Sequence, residues 1–136
     1  YEIFIFHTGK KLATHEHLKD LKSVDLTSLI PILISARTSL DQMNLKVFCQ
    51  SLNYYYDCLG ELGLSNKTVQ KSVYSLRQNS EILAAKGCGA MGVDTVVVVG
   101  ETSNEKKIKE LCNDEDFQYI TKLSQSHSGV HLRRTN

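Results

Sequence analysis

Ala85-Lys86-Gly87-Cys88-Gly89-Ala90-Met91-Gly92-Val93-Asp94, running on into Thr95-Val96-Val97-Val98-Val99, decides how this chain is read. Three glycines within six residues let the backbone approach a ligand or another loop more closely than side chains permit. The β-branched run behind them has the make-up of a buried strand. Gly87 to Gly92 match the letters of the dinucleotide fingerprint, but that fingerprint needs a helix opening on the glycines to receive a pyrophosphate. Here strand-like Ile82-Leu83-Ala84-Ala85 precedes them and a second strand follows, so the glycines join two strands and no helix end points at them. No Gly-Lys-Ser or Gly-Lys-Thr closes the stretch, which also excludes a Walker loop. On residues alone, a hairpin that only turns the chain accounts for the glycines as well as a ligand site does.

The 136 residues, 41% of them hydrophobic, suit one domain over residues 1–136 with a real core. A formal net charge of +1 gives no electrostatic footprint for nucleic acid or a membrane surface. The chain opens at Tyr1 inside an apolar strand pattern, without Met, signal peptide or transmembrane run, and is expected to be a piece of a longer protein. Cys49, Cys58, Cys88 and Cys112 lack metal-ligand spacing. Cys49 and Cys58 fall on opposite sides of one helix, so free thiols in a reducing cytoplasm are expected.

Outward from the glycines, Glu2-Ile3-Phe4-Ile5-Phe6 reads as a central strand ending at His7-Thr8-Gly9. Thr14 suits the N-cap of a helix over His15 to Lys22. His15-Glu16-His17 is no metal motif, because residues two apart leave a helix on different sides. A second helix, capped by Ser23 or Asp25, carries Leu26, Leu29, Ile30, Leu33 and Ile34 and is expected to bend at Pro31. From Ser39, the spacing of Leu40, Met43, Val47, Phe48, Leu52, Tyr55, Leu59 and Leu62 predicts one long amphipathic helix ending near Gly63. Within it, Tyr54-Tyr55-Tyr56 diverge by about 100° each, so one ring is core and the others partly exposed. Ser65 or Asn66 caps a helix with Val69, Val73 and Leu76 inward, and another runs from Ser103 or Asn104 through Cys112. Phe117 to Leu123 alternates as a last strand.

The order is strand, helical block, strand, turn, strand, helix, strand. That is an α+β fold: a ferredoxin-like βαββαβ antiparallel sheet with an enlarged helical insertion after the first strand. RNA-recognition modules share the plan but need stacking aromatics on the third strand, where Thr95 to Val99 offers none. A stand-alone small-molecule-binding regulatory domain is the alternative, although such domains usually carry a single helix between the first two strands.

Taken together, four segments resemble the C-terminal domain of the GHMP small-molecule kinases, most nearly the mevalonate and phosphomevalonate kinases. Leu52-Asn53-Tyr54-Tyr55-Tyr56, Leu59 and Leu62-Gly63-Leu64-Ser65 are similar to the family's Met-Asn-x-x-His-x-Leu-Leu-x-x-Leu-Gly-Val-Ser helix end, with Leu52 for the Met and Tyr56 for the His. Lys86 to Asp94 resembles the third motif, Lys-Leu-Thr-Gly-Ala-Gly-Gly-Gly-Gly, and its variant ending in Asp. Phe6-His7-Thr8-Gly9 with Thr14 is similar to the Asp-Thr-Gly turn and following Ser-Thr, and Ser128-Gly129-Val130 to the closing strand region. Cys88 stands for Thr or Ser, Met91 and Val93 for two glycines, and His7 for Asp or Asn. Met91 and Val93 narrow the loop's backbone freedom.

The resemblance implies an ATP- and Mg²⁺-dependent phosphotransferase whose glycine-serine loop and catalytic Asp and Lys lie in an N-terminal half that this chain lacks. No catalytic residue and no metal ligand is assigned within the chain, and the fragment alone is expected to transfer no phosphate. Lys86, Gly87, Cys88, Gly89, Ala90, Gly92 and Asp94 are expected to brace the phosphate loop and border the acceptor, with Thr8 and Thr14 near the domain junction. The expected partners are that N-terminal half and a small-molecule substrate. Surface left bare without that half is expected to promote self-association, a homodimer included.

Overall fold

β1 (Glu2–His7) runs inside a four-stranded antiparallel sheet in the computed structural model, which describes residues 1–11 and 24–125. The strand order is β2 (Ile82–Cys88), β3 (Thr95–Gly100), β1 and β4 (Gln118–Lys122). Between β1 and β2 lie α1 (Ile30–Asp41), α2 (Leu45–Glu61) and α3 (Lys67–Leu76), and α4 (Glu105–Asp114) joins β3 to β4. This is the expected βαββαβ plan with its helical insertion after the first strand.

Strand alternation sorts the core. Phe4 and Phe6 pair with Val98 and Val96 of β3, which pair in turn with Ala85 and Gly87 of β2. The apolar side chains of this row meet Tyr56 of α2, Val69, Val73 and Leu76 of α3, and Ile108 and Cys112 of α4. On the other face Ile3, Val99 and Ala84 meet Leu45, Phe48, Cys49 and Leu52 of α2. One helix thus feeds both faces, because α2 passes along the outer margin of β2.

The expected single helix from Leu40 to Leu62 is two helices. Met43 takes a left-handed φ of 54° and breaks the run. Asn44 then restarts it, its side-chain oxygen accepting from the Val47 amide at 3.2 Å. Met43 fits the helical period yet is 91% exposed, so its place in the apolar series is fortuitous. Pro31 does not interrupt a helix either. It sits in the first turn of α1, where no backbone donor is needed. A 3-10 turn over Thr27–Leu29 precedes it, with Asp25 accepting from the Thr27 amide at 2.9 Å. Leu29 and Ile32 are buried there, whereas Ile30, Leu33 and Ile34 of the apolar series are exposed.

Gly63, at φ 72°, ends α2 where expected. α3, β3, α4 and β4 also fall where the periodicity puts them, while β2 continues three residues further than Ala85. Tyr56 is the core ring of the tyrosine run, Tyr55 is half-buried and Tyr54 exposed. Cys49, Cys58, Cys88 and Cys112 are all free, and Cys49 and Cys58 pack in separate clusters. The segment from Thr14 to Lys22 and Ser128-Gly129-Val130 lie outside the described residues.

Candidate functional site

The glycine stretch forms a tight turn between β2 and β3, built on a 3-10 turn over Ala90–Gly92. Gly89 and Gly92 have φ of 86° and 66°, the left-handed side that glycine occupies without strain. Between them Met91 takes φ 55° despite its side chain. Val93 lies at φ −96° and is buried in the core, so at this position a glycine's freedom is not used. Internal bonds close the turn. The Gly92 amide donates to Gly89 O at 3.0 Å, and the Asp94 amide to Cys88 O at 3.2 Å.

Thr8 is brought onto this turn from the far end of the sequence. Its amide donates to Asp94 O at 3.2 Å and its buried hydroxyl to Val93 O, while the Lys10 amide donates back to the hydroxyl at 3.1 Å. Thr8 and Lys86 to Asp94 therefore form one constellation, and Thr14 lies outside the described residues. Although no helix follows the glycines in sequence, the start of α3 does reach them, since the Asn66 amide donates to Met91 O at 2.8 Å.

Side chains fill the spaces the glycines leave. A Cβ on Gly87 would stand 2.9 Å from the Tyr56 hydroxyl and against Gly92 O. A Cβ on Gly89 would stand 2.8 Å from Cβ and Cγ of Asp94. Burial pushes the Tyr56 phenol up to about 12, against the opposing pull of Arg77 and the Gly87 amide. Among the described residues, the buried side-chain oxygens that lack a well-formed hydrogen bond are Tyr56 Oη, Ser65 Oγ and Asp94 Oδ1. Tyr56 and Asp94 meet the turn directly, and Ser65 immediately precedes the Asn66 that bonds it. Buried oxygens left short of partners are rare, and these three gather at the turn.

Lys86 and Cys88 share the opposite face of β2. The Lys86 ammonium donates to Cys88 Sγ at 3.3 Å and lies 5.9 Å from the Tyr55 ring centroid. Among the described residues no carboxylate pairs with Lys86, whereas Lys109 and Lys122 both hold Glu105 at 2.6 Å. No imidazole of those residues stands against Cys88, which leaves a thiol and an ammonium bordering the turn rather than a nucleophile with its base. Among the described residues no group of three His, Cys, Asp or Glu side chains could hold a metal ion. The Asp94 carboxylate against Gly89 also makes the inner side of the turn a poor seat for a triphosphate. ATP and Mg²⁺ therefore do not fit the residues of this turn by themselves.

Sequence reading missed Arg77 and the role of Asn53. Arg77 Nε and Nη2 donate to Ala85 O at 2.9 and 2.6 Å, and Nη1 donates to Asp57 at 2.6 Å. Its guanidinium lies 5.5 Å from the ring centroids of both Tyr56 and Tyr74. Asn53 accepts from the Ala85 amide and donates to Leu83 O, both at 3.1 Å. The only signal in the sequence was the spacing of Asn53, Tyr56 and Asp57, which share one helix face.

No protein-family model and no curated protein sequence matches the chain. Solved structures do. L. major mevalonate kinase in complex with R-mevalonate aligns over 87% of this chain and 41% of its own, at 18% identity and a TM-score of 0.70. Streptococcus pneumoniae phosphomevalonate kinase in complex with phosphomevalonate and AMPPNP aligns over 89% of this chain and 38% of its own, at 12% identity and a TM-score of 0.73. Lactococcus lactis galactokinase complexed with galactose aligns over 85% and 41%, at 16% identity and a TM-score of 0.62. The chain thus spans about two-fifths of each kinase, and at these identities the likeness is one of architecture. Its fold is one found within the GHMP small-molecule kinases, over about two-fifths of their length.

Proposed function

We propose that this chain is the C-terminal, acceptor-side domain of an ATP-dependent small-molecule kinase of the mevalonate or phosphomevalonate type. The observation that carries the reading is the closure of the glycine turn by Thr8. Two segments that resemble separate motifs of one kinase family meet through hydrogen bonds across 85 positions of sequence. In the whole enzyme the turn braces a phosphate-binding loop supplied by the N-terminal half, and Lys86 and Cys88 border the acceptor. ATP and Mg²⁺, when bound, supply the phosphoryl group and its charge neutralisation. This chain's own part is to hold the turn rigid and present its outer face. The four free thiols support a reducing, cytoplasmic setting, and among the described residues no helix is long and apolar enough to cross a membrane.

The test compares the polypeptide in which this chain naturally stands with the 136-residue chain alone. Mevalonate, phosphomevalonate and galactose serve as acceptors, with ADP release measured. Acceptor-dependent release by the polypeptide and none by the chain alone is expected. Release by the chain alone would sink the assignment of roles. Release by neither, with a small molecule bound at the turn, would favour a regulatory domain.

A further inference from the structure

We infer that Arg77 is the positioning residue of the glycine turn, acting through Tyr56 and the outer edge of β2. Arg77 is the C-cap residue of α3, its side chain 11% exposed, and reaches β2 at Ala85, immediately before Lys86 and Gly87. Both bonds to Ala85 O come from a planar fork whose remaining arm is fixed by Asp57 of α2. A lysine could not supply these bonds in that geometry. The same guanidinium lies over the Tyr56 ring, whose hydroxyl sits against Gly87 and whose Cε2 would stand 3.4 Å from a Cβ on Gly92.

Arg77 thus fixes the strand just before the turn and the ring beneath it. With Asn53 on Leu83 O and Ala85 N, the outer edge of β2 is held entirely by side chains over these residues. The position of the turn is set by how α2 and α3 stand together, since the Arg77 to Asp57 pair crosses between those helices. A shift between them reaches Gly87 and Gly92 through Ala85 and the Tyr56 ring.

This inference takes from the proposed function only that the turn is the working part of the site. Its test reads the turn itself, so a kinase assay that fails leaves it to stand or fall separately. Amide hydrogen exchange and the phenol titration of Tyr56 are compared in the 136-residue chain, in Arg77→Met and in Arg77→Lys. In Arg77→Met the Gly87 and Gly92 amides are expected to exchange roughly tenfold faster or more, the worth of one hydrogen bond to a charged group. The amides of Phe4 and Phe6 should change only as far as the urea midpoint does.

The Tyr56 phenol should fall from about 12 toward its ordinary value as the ring leaves its seat. Loss of a neighbouring cation alone would move it the other way. Arg77→Lys, which keeps the cation but not the fork, should lie between. Turn amides that exchange in step with Phe4 and Phe6, or a phenol that rises, would show Arg77 to be a general stabiliser and overturn the inference. Should Arg77→Met fail to fold, Asp57→Asn, which releases one arm of the fork, is read by the same two measurements and the same two outcomes.

Discussion

The hydroxyl of Tyr56 occupies the space in which a side chain on Gly87 would begin, 2.9 Å from the position of a Cβ. Gly92 O, in the 3-10 turn, presses on the same point. A methyl group at Gly87 therefore meets a buried ring on one side and backbone on the other, and neither can swing away. Gly87→Ala is expected to destabilise the chain by about 1–3 kcal/mol, as overpacking does elsewhere, read as a lower urea midpoint with an unchanged slope.

Alkaline pH should lower the stability of the chain in a defined window. Burial holds the Tyr56 phenol and the Cys112 thiol up to about 12, from ordinary values of 10.0 and 9.0. Both acids stay protonated in the fold at a pH where the unfolded chain has released them, so the unfolded state gains. Their contribution is whole below pH about 9, falls as pH rises toward 12 and is lost above it. A tenfold difference in acidity between fold and unfolded chain is worth about 1.4 kcal/mol. Urea midpoints measured from pH about 8 to about 11.5 should fall steadily, and Tyr56→Phe should flatten the part of that fall above pH about 10.

Cys88 should be the first of the four thiols to react with iodoacetamide. It is half-buried at the end of β2, whereas Cys49, Cys58 and Cys112 are buried. Peptide mapping after brief alkylation of the folded chain should find the label at Cys88. Early label at Cys112 would mean that the α4 side of the core opens more readily than the packing indicates.

Met43 carries a left-handed φ of 54° at the junction of α1 and α2, with its side chain 91% exposed. Nothing is lost by removing that side chain, and the backbone strain is relieved. Met43→Gly should raise stability by roughly 1 kcal/mol, seen as a higher urea midpoint.

The strands were legible because β-branched and aromatic runs such as Thr95 to Val99 have few other uses. The fold followed from their order. The helix break at residues 42–44 was hidden because Leu40, Met43 and Val47 keep a helical step across it and no Gly or Pro stands there. Asn44 was the available signal, being a good N-cap with an apolar series behind it. The constellation of Thr8 with the glycine turn was readable only through a family likeness, since it joins residues far apart in sequence. Arg77 was not legible at all. Its partners are a backbone carbonyl, the Asp57 carboxylate and the faces of two rings, all reached from distant sequence, and none leaves a mark on the residues around it.

Asn53 and Arg77 also determine what may join this sheet. A strand offered by another molecule recognises a sheet by its unanswered amides and carbonyls. Along the β2 margin, Leu83 O and Ala85 N are already answered by one amide group, and Ala85 O by one guanidinium. A newcomer on that side must first evict both, so the sheet resists strand addition and swapping there although β2 is an edge strand. On that margin two side chains take the place of a further strand.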